Sequence, residues 1–305
     1  MKFEGLFAGL TVKQILADEL GFSKRAITSL KSRDDGILLN GKKVTVRAKL
    51  SEGDILEINL DDENLQNEKL IPSSTLPEII YEDEYIVAAN KPPFMPTHQS
   101  QGHFYDTLAN SLAYYYSQKE RPFIFRSVNR LDRNTSGIVL VAKDRLTSSK
   151  LSAQMKNDGI RKTYLAILEG ELENKCGTIE TYIRRREKSI ILREACGNVD
   201  DSKIAITEYE ILATASGYSL VKATPITGRT HQLRVHFSHF GAQILGDDLY
   251  GLPSPLINRH ALHAHSLTFT HPEAKKEITL IAPLPSDMKL TIEKIFGKEV
   301  SDNYE

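Results

Sequence analysis

Residues 129–144 read NRLDRNTSGIVLVAKD. Ile138 to Ala142 form a short β-branched apolar run, the pattern of a strand buried on both faces. Ahead of it stands the turn-forming run Asn134-Thr135-Ser136-Gly137, and ahead of that a single aspartate, Asp132, between Arg130 and Arg133. A carboxylate therefore sits on a loop at the mouth of a strand locked into a core. Flanking guanidinium groups favour its charged form and can pair with it bidentately. An ordinary surface ion pair, worth little, fits the same residues, so local physics leaves both readings open.

Around this stretch, 305 residues are enough for one large and one small domain. The composition, 40% hydrophobic and 26% charged, is that of a globular protein. A net charge of −1 hides a strong asymmetry. Residues 24–49 carry Lys24, Arg25, Lys31, Arg33, Lys42, Lys43, Arg47 and Lys49 against only Asp34 and Asp35, whereas residues 50–84 are acidic with Lys69 alone on the basic side. A basic patch on one small module points to an anionic partner, nucleic acid first; a solvated charged face is the bland alternative. Cys176 and Cys196 fit no metal or redox spacing. Without a leader pattern or an apolar run long enough to span a bilayer, a cytoplasmic protein with reduced thiols and no membrane partner is expected.

Thr11 to Leu20 has a helical apolar stripe with Thr11 as N-cap, and Ser23 caps a second helix bearing Ala26, Ile27 and Leu30 on one face. Asn40-Gly41 between Ile37–Leu39 and Lys42–Val46 is a hairpin signal, and Ile55 to Leu60 alternates as a strand. This gives a small basic α/β domain over residues 1–60. Residues 61–76 are acidic and polar, broken by Pro72, the composition of a flexible linker. The larger domain, 77–305, opens with a hairpin around Glu82-Asp83-Glu84 and a proline-rich loop at 91–96. It continues with helices at 106–118 (stripe Leu108, Leu112, Tyr115), 148–157, 230–240 and 287–296. Strands are expected at 162–168, 178–183, 189–193, 203–212, 217–223, 261–270 and 276–282. Dispersed helices and several hairpins argue for an α+β fold with a large mixed, mainly antiparallel sheet.

Histidines cluster at 231/236/239 and 260/263/265. His231 and His236 are five apart, a poor match to the i, i+4 zinc pair, and no acidic group stands near the second cluster. Structural or RNA-contacting histidines are expected rather than a metal-dependent hydrolase. Paired-carboxylate hydrolysis needs a second acid, and Asp144 lies at the far end of the buried strand. Gly228-Arg229-Thr230 lacks the glycine and lysine spacing of a phosphate-binding loop.

The run RLDRNTSG at 130–137 resembles the signature of the RluA-type RNA pseudouridine synthases. RKTYLA at 161–166, GRTHQLRVHFSHFGAQILGDDLYG at 228–251 and RHALHAHSLTFTHP at 259–272 resemble three further motifs of that family, in order, and together cover about residues 77–285. The leading module, through SKRAITSLKS…GILLNGKKV, resembles the S-four-type RNA-binding domain. Two positions depart from the family pattern. Asn129 stands where the family has His, and Lys91-Pro92-Pro93-Phe94, ending in His98-Gln99, replaces Lys-Pro-x-Gly ending in His-Pro.

The resemblance implies an isomerase that cleaves the N1–C1′ bond of a uridine, rotates the base and rejoins it through C5, with no cofactor and no metal. It implies Asp132 as the catalytic carboxylate, by C1′ attack or C2′ deprotonation. Tyr164 would stack on the base and accept the C5 proton, and Arg234, or else Arg229, would be the cation paired with Asp132. It further implies base flipping, with Arg130 filling the vacated space and Arg133, Arg229 and His231 meeting RNA. Lys24, Arg25, Lys31, Lys42 and Lys43 would meet phosphates. Ribosomal RNA is the expected partner ahead of transfer RNA, for a monomeric protein. A non-catalytic RNA-binding or ribosome-assembly factor on the same fold is the alternative.

Overall fold

In the computed structural model, which describes residues 1–60, 70–157 and 159–304, the chain builds two sheets. The small one begins with β1 (Lys2–Glu4), too short to read from sequence. Thr11 and Gln14 then form a reciprocal capping box that starts α1 (Val12–Gln14), which runs on as a π-helical turn, Ile15–Glu19. The Ser23 hydroxyl caps α2 (Lys24–Ser32) by accepting from the Ala26 N–H. Asn40 and Gly41 take the left-handed conformations a two-residue hairpin needs, φ 51° and 74°, and join β2 (Ile37–Leu39) to β3 (Lys42–Lys43). β4 (Ile55–Ile58) completes the order β1-β4-β2-β3, antiparallel throughout. β3 stops short of the expected Val46. The chain there turns to α1 instead, where the carbonyls of Val46 and Ala48 accept from Lys13 and Val12, N–H groups that a helix start leaves without partners.

The large sheet holds eleven strands. β5 (Glu78–Glu82) and β6 (Ile86–Lys91) form the expected hairpin, with the Asp83 carboxylate accepting from the Tyr85 and Ile86 N–H groups in the turn. Thr107 caps α3 (Leu108–Ser117), whose buried stripe is Leu108, Leu112 and Tyr116; Tyr115, expected inside, is partly exposed and bonds Glu82. β7 (Arg126–Ser127) and β8 (Ser136–Ala142) follow. Asp144 caps α4 (Arg145–Lys156), which therefore starts three residues before the expected Ser148. Next come β9 (Ile160–Glu169), β10 (Cys176–Arg185) and β11 (Arg193–Cys196). The strand expected at 189–193 lies largely before β11. Ser189 instead makes a turn in which its hydroxyl accepts from Ile191 and Leu192. β12 (Lys203–Ala215), β13 (Tyr218–Pro225), α5 (Gln232–His239), β14 (Leu262–Thr270), β15 (Glu277–Ile281), α6 (Ser286–Phe296) and α7 (Lys298–Asp302) complete the chain.

The main path is β11-β10-β12-β13-β9-β14-β8-β6-β5, with β15 on β14 and β7 on β8. All pairs are antiparallel except β14 with β8, so the sheet is mixed and the fold is α+β. Strand β8 is buried on both faces, as its composition requires. Ile138, Leu140 and Ala142 enter one core with Leu151 of α4, and Val139 and Val141 enter another with Leu108 and Leu112 of α3. A third core joins β9 and β13 to Leu233 and Phe237 of α5 and to Met288 and Ile292 of α6.

Of the linker expected at 61–76, residues 61–69 lie outside the described residues. The remainder is fastened to the larger unit, because Asn110 donates to the Ile71 carbonyl at 2.6 Å and accepts from the Ser73 N–H at 3.1 Å. The small unit is seated on α4. Leu146 packs into its core, and Gly21 lies against Ser149 and Ala153. No helix among the described residues is long and apolar enough to cross a membrane.

At Gly137, φ is 112°, and a Cβ there would lie 2.2 Å from the Ala264 carbonyl oxygen of β14. Gly137→Ala should therefore cost more than about 3 kcal/mol, combining backbone strain with a clash against main chain. Chemical denaturation measures it, and a loss under about 1 kcal/mol would mean that β14 yields freely.

Candidate active site

Asp132 begins a β-turn closed by the Thr135 N–H donating to the Asp132 carbonyl at 3.1 Å. This turn is held from three sides. Thr97 bonds both the N–H and the carbonyl of Leu131. Lys91, wholly buried, donates to the carbonyls of Pro92, Met95 and Arg133 at 2.8–3.1 Å. Burial and the neighbouring Arg259 pull the Lys91 ammonium down to about 7, yet three carbonyls match its three hydrogens. From the far side Arg259, also buried, donates to the Asn134 carbonyl at 3.0 Å and to the Ser136 hydroxyl at 3.3 Å, while a bidentate pair with Asp287 anchors it to α6. Thr135 bonds His260 at 2.8 Å and Ser136 bonds His263 at 2.9 Å. Two of the histidines that invited a metal reading thus fasten the loop. Asn129 is buried as well. Its amide donates to Ile138 and accepts from the Leu140 N–H, extending the β8 ladder as a piece of backbone would.

α5 supplies the charges that face Asp132. Its start is two residues later than expected, because His231 takes the left-handed conformation, φ 58° and ψ 19°. That geometry brings His231 Nε2 to 3.7 Å and Arg234 Nη1 to 3.5 Å from the same oxygen, Asp132 Oδ2. Arg234 makes a much tighter, bidentate pair with the fully buried Asp247, Nε–Oδ2 2.7 Å and Nη2–Oδ1 2.6 Å. Its guanidinium also lies 5.1 Å from the centre of the Tyr250 ring, whose hydroxyl bonds His231 Nδ1 at 2.8 Å. Arg234, expected to pair with Asp132, does face it, whereas neither Arg130 nor Arg133, the sequence neighbours that could have paired with it, does so among the described residues. Arg130 is exposed near His98, and Arg133 donates to the Phe94 carbonyl at 3.3 Å. Arg229, the second choice for pairing, donates to the Ile204 carbonyl instead.

Asp132, Tyr164, Arg229, His231 and Arg234 line one cleft of about 1190 Å³, with Arg130 and Arg133 at its edge. Asp132 remains about one-third exposed. Tyr164, on β9, has its phenol pushed well above the ordinary range, first by burial and then by the Asp132 charge. Burial, assisted by Arg234 and opposed by Asp132, pushes the His231 ring below its ordinary range. Sequence reasoning missed Asp247 and Tyr250 as site residues. The acid turn Gly246-Asp247-Asp248 is visible, but nothing in it says which carboxylate turns inward.

A profile of the RNA pseudouridylate synthase family matches residues 85–239. An uncharacterized RNA pseudouridine synthase of Bacillus subtilis, YjbO, is 37% identical over 93% of this chain and 98% of its own length. The chain belongs to the RNA pseudouridine synthase family. A ribosomal large subunit pseudouridine synthase C of Vibrio vulnificus is 30% identical over 94% of this chain and 93% of its own. The solved human RNA pseudouridylate synthase domain containing 1 is 27% identical, with TM-score 0.58 over 68% of this chain and 84% of that one. RNA pseudouridine synthases are isomerases acting on uridine in RNA, and that is the reaction class of this chain.

In this RNA pseudouridine synthase the Arg234–Asp247 pair holds α5 to the following turn. Burial raises the Asp247 carboxyl, but bonding to Arg234 lowers it further, leaving it below the ordinary range. The pair's contribution to stability is therefore complete above the ordinary aspartate pKa and fades as pH falls below it. Asp247→Ala should cost about 3–5 kcal/mol by leaving a buried guanidinium without its main partner, and should flatten that acid-side decline. Urea unfolding across about pH 3–7 measures both; an unchanged midpoint would mean that Asp132 and Asp248 can hold Arg234 without it.

Proposed function

We propose that this RNA pseudouridine synthase isomerises particular uridines of ribosomal RNA, with Asp132 as its catalytic carboxylate. The observation that carries the reading is the asymmetry at that side chain. Arg234 and His231 both make their nearest approach at Oδ2, as long contacts of 3.5 and 3.7 Å, no hydrogen bond to either oxygen is made among the described residues, and the side chain lines an open cleft. A carboxylate oriented through one oxygen keeps the other free for C1′ or for the C2′ proton of the flipped nucleotide.

Arg234, itself oriented by Asp247, stabilises the charged Asp132. Tyr164 stacks on the detached uracil. A phenol kept protonated is no resting base, so Tyr164 takes the C5 proton only while its own proton passes to the Asp132 carboxylate, the charge its titration feels, or to water in the open cleft. The exposed Arg130 enters the space that the uridine leaves, and Arg133, Arg229 and His231 border the bound RNA. These steps ask for no cofactor or metal. The ribosomal target is supported by the names of relatives, ribosomal large subunit synthases C and D, and one chain holds the whole site, consistent with a monomer. Asp132→Ala should abolish tritium release from RNA carrying 5-tritiated uridine while RNA affinity changes less than about twofold; release at the wild-type rate would remove Asp132 from the chemistry. Pseudouridine mapping of cellular RNA with and without the protein identifies the target, and sites confined to transfer RNA would overturn the ribosomal assignment.

The small unit is proposed as an RNA-binding domain over residues 1–60. Lys24, Arg25, Lys31 and Lys42 are exposed, whereas Lys43 is engaged by Asp34 at 2.7 Å. Replacing Lys24, Arg25 and Lys42 together by alanine should reduce the slope of log affinity against log salt by about 2–3. An unchanged slope, read from titrations at several salt concentrations, would take these residues off the RNA.

A further inference from the structure

The loop between β6 and α3 presents three large aromatic side chains to solvent. Phe94 is 47% exposed, Phe104 54% and Tyr105 61%. Their backbones are held. The Phe94 carbonyl accepts from Arg133, next to Asp132 in sequence, and the Phe104 carbonyl accepts from both Gln99 at 2.6 Å and Asn110 at 3.1 Å. Arg133 thus ties the Phe94 end of the loop to the Asp132 turn, while Asp106 and His103, paired at 2.6 Å, fasten the other end within itself. Between those ends, Ser100 and His103 pair across a tight turn, and both line the catalytic cleft.

Phe94 is in the left-handed region, φ 65°. A bulky residue is disfavoured there relative to glycine, and half of its surface remains in water. Burial on this face therefore does little to offset the strain, and the ring stays available to a partner. The partner must suit flat apolar rings beside the exposed cations Arg130 and Arg133, and it must be continuous with whatever occupies the cleft. Unpaired nucleotides meet all three conditions, since every base offers a stacking face and every phosphate a charge.

We infer that Phe94, Phe104 and Tyr105 form a stacking ledge for unpaired bases next to the target uridine, so that the enzyme selects uridines in single-stranded loops rather than within helices. This rests on the proposed function above, because the loop that carries the three rings lines the cleft assigned to the flipped uridine through Pro96, Gln99, Ser100 and His103. The rings act by stacking and the arginines by charge, so the two contributions separate on salt variation.

The test uses the full chain, a labelled single-stranded oligouridylate and a fully paired RNA of equal length, with binding read by fluorescence anisotropy. The triple variant Phe94→Gly, Phe104→Ser, Tyr105→Ser should bind the single strand about 10- to 100-fold more weakly. It should keep its affinity for the duplex within about twofold and retain the wild-type salt slope. Phe94→Gly alone relieves backbone strain, so a thermal midpoint at or above that of the wild type with weaker single-strand binding excludes misfolding as the cause. Equal losses on both RNAs, or none on the single strand, would overturn the ledge. Tritium release from 5-tritiated uridine in a stem-loop RNA keeps the two readings apart. If the wild type releases tritium and the triple variant does so equally well at limiting RNA, the ledge alone fails. If Asp132→Ala releases tritium as the wild type does, the catalytic assignment fails whatever the ledge does.

Discussion

For one step of backbone, Ser136-Gly137 beside His263-Ala264, two strands of the large sheet run parallel, and the geometry of the site depends on that contact. It joins segments more than 120 residues apart, a closure whose chain entropy local hydrogen bonds must offset. The glycine lets the main chains approach, and Thr135, Ser136, His260, His263 and Arg259 then cross-link them. Burial drives the rings of His260 and His263 down to about 3, so both are neutral imidazoles at any physiological pH and add no charge to the site. The two imidazoles in this way fasten the Asp132 turn without adding to the charge of Lys91 and Arg259, the cations that also hold it.

The charges that do act are graded by distance and burial. Arg234 has a dry bidentate partner at 2.6–2.7 Å and a partly exposed one at 3.5 Å. Coulombic attraction grows as separation and local dielectric fall, so Asp247 fixes where the guanidinium lies and Asp132 feels its field from outside a tight pair. Had Asp132 been the bidentate partner, both of its oxygens would be occupied and attack would first require breaking a buried ion pair. His231, held by Tyr250, acts on the same oxygen as Arg234. Both groups thus approach the carboxylate at one oxygen, as the proposed reaction through the other would require.

Much of this was legible beforehand. The β-branched run 138–142 demanded a strand buried on both faces, and Asn40-Gly41, Thr11 and Ser23 announced their turns and caps through local chemistry. Asp132, Tyr164 and Arg234 emerge from motif resemblance and do line one cleft. What stayed hidden was set by tertiary contact. Arg130 and Arg133 are adjacent to Asp132 in sequence, yet a turn sends them outward while a guanidinium from α5 faces it. Asp144 looked like a spare acid and is a helix cap. Asp247 and Asp248 differ in burial, 1% against 63% for their side chains, though nothing in the dipeptide distinguishes them. Periodicity reports which face of an element is apolar; it does not report which polar side chain an element from elsewhere will meet.

Recognition of RNA by such a chain has to overcome two energetic obstacles. With a net charge of −1, long-range attraction cannot come from the protein as a whole, so the phosphate contacts proposed for Lys24, Arg25 and Lys42 would have to supply it locally. Phosphate contacts of that kind position an RNA but carry no sequence information. Extruding a uridine from a stack then costs about a few kcal/mol, least where the base is already unpaired. Stacking of flanking bases returns about 1–3 kcal/mol each, so the two or three rings of the inferred ledge would be of the size needed to offset the extrusion. A strained, exposed Phe94 beside the catalytic turn is then explicable. Its cost in the free protein is small, about 1 kcal/mol, and the ring is already positioned when the substrate opens.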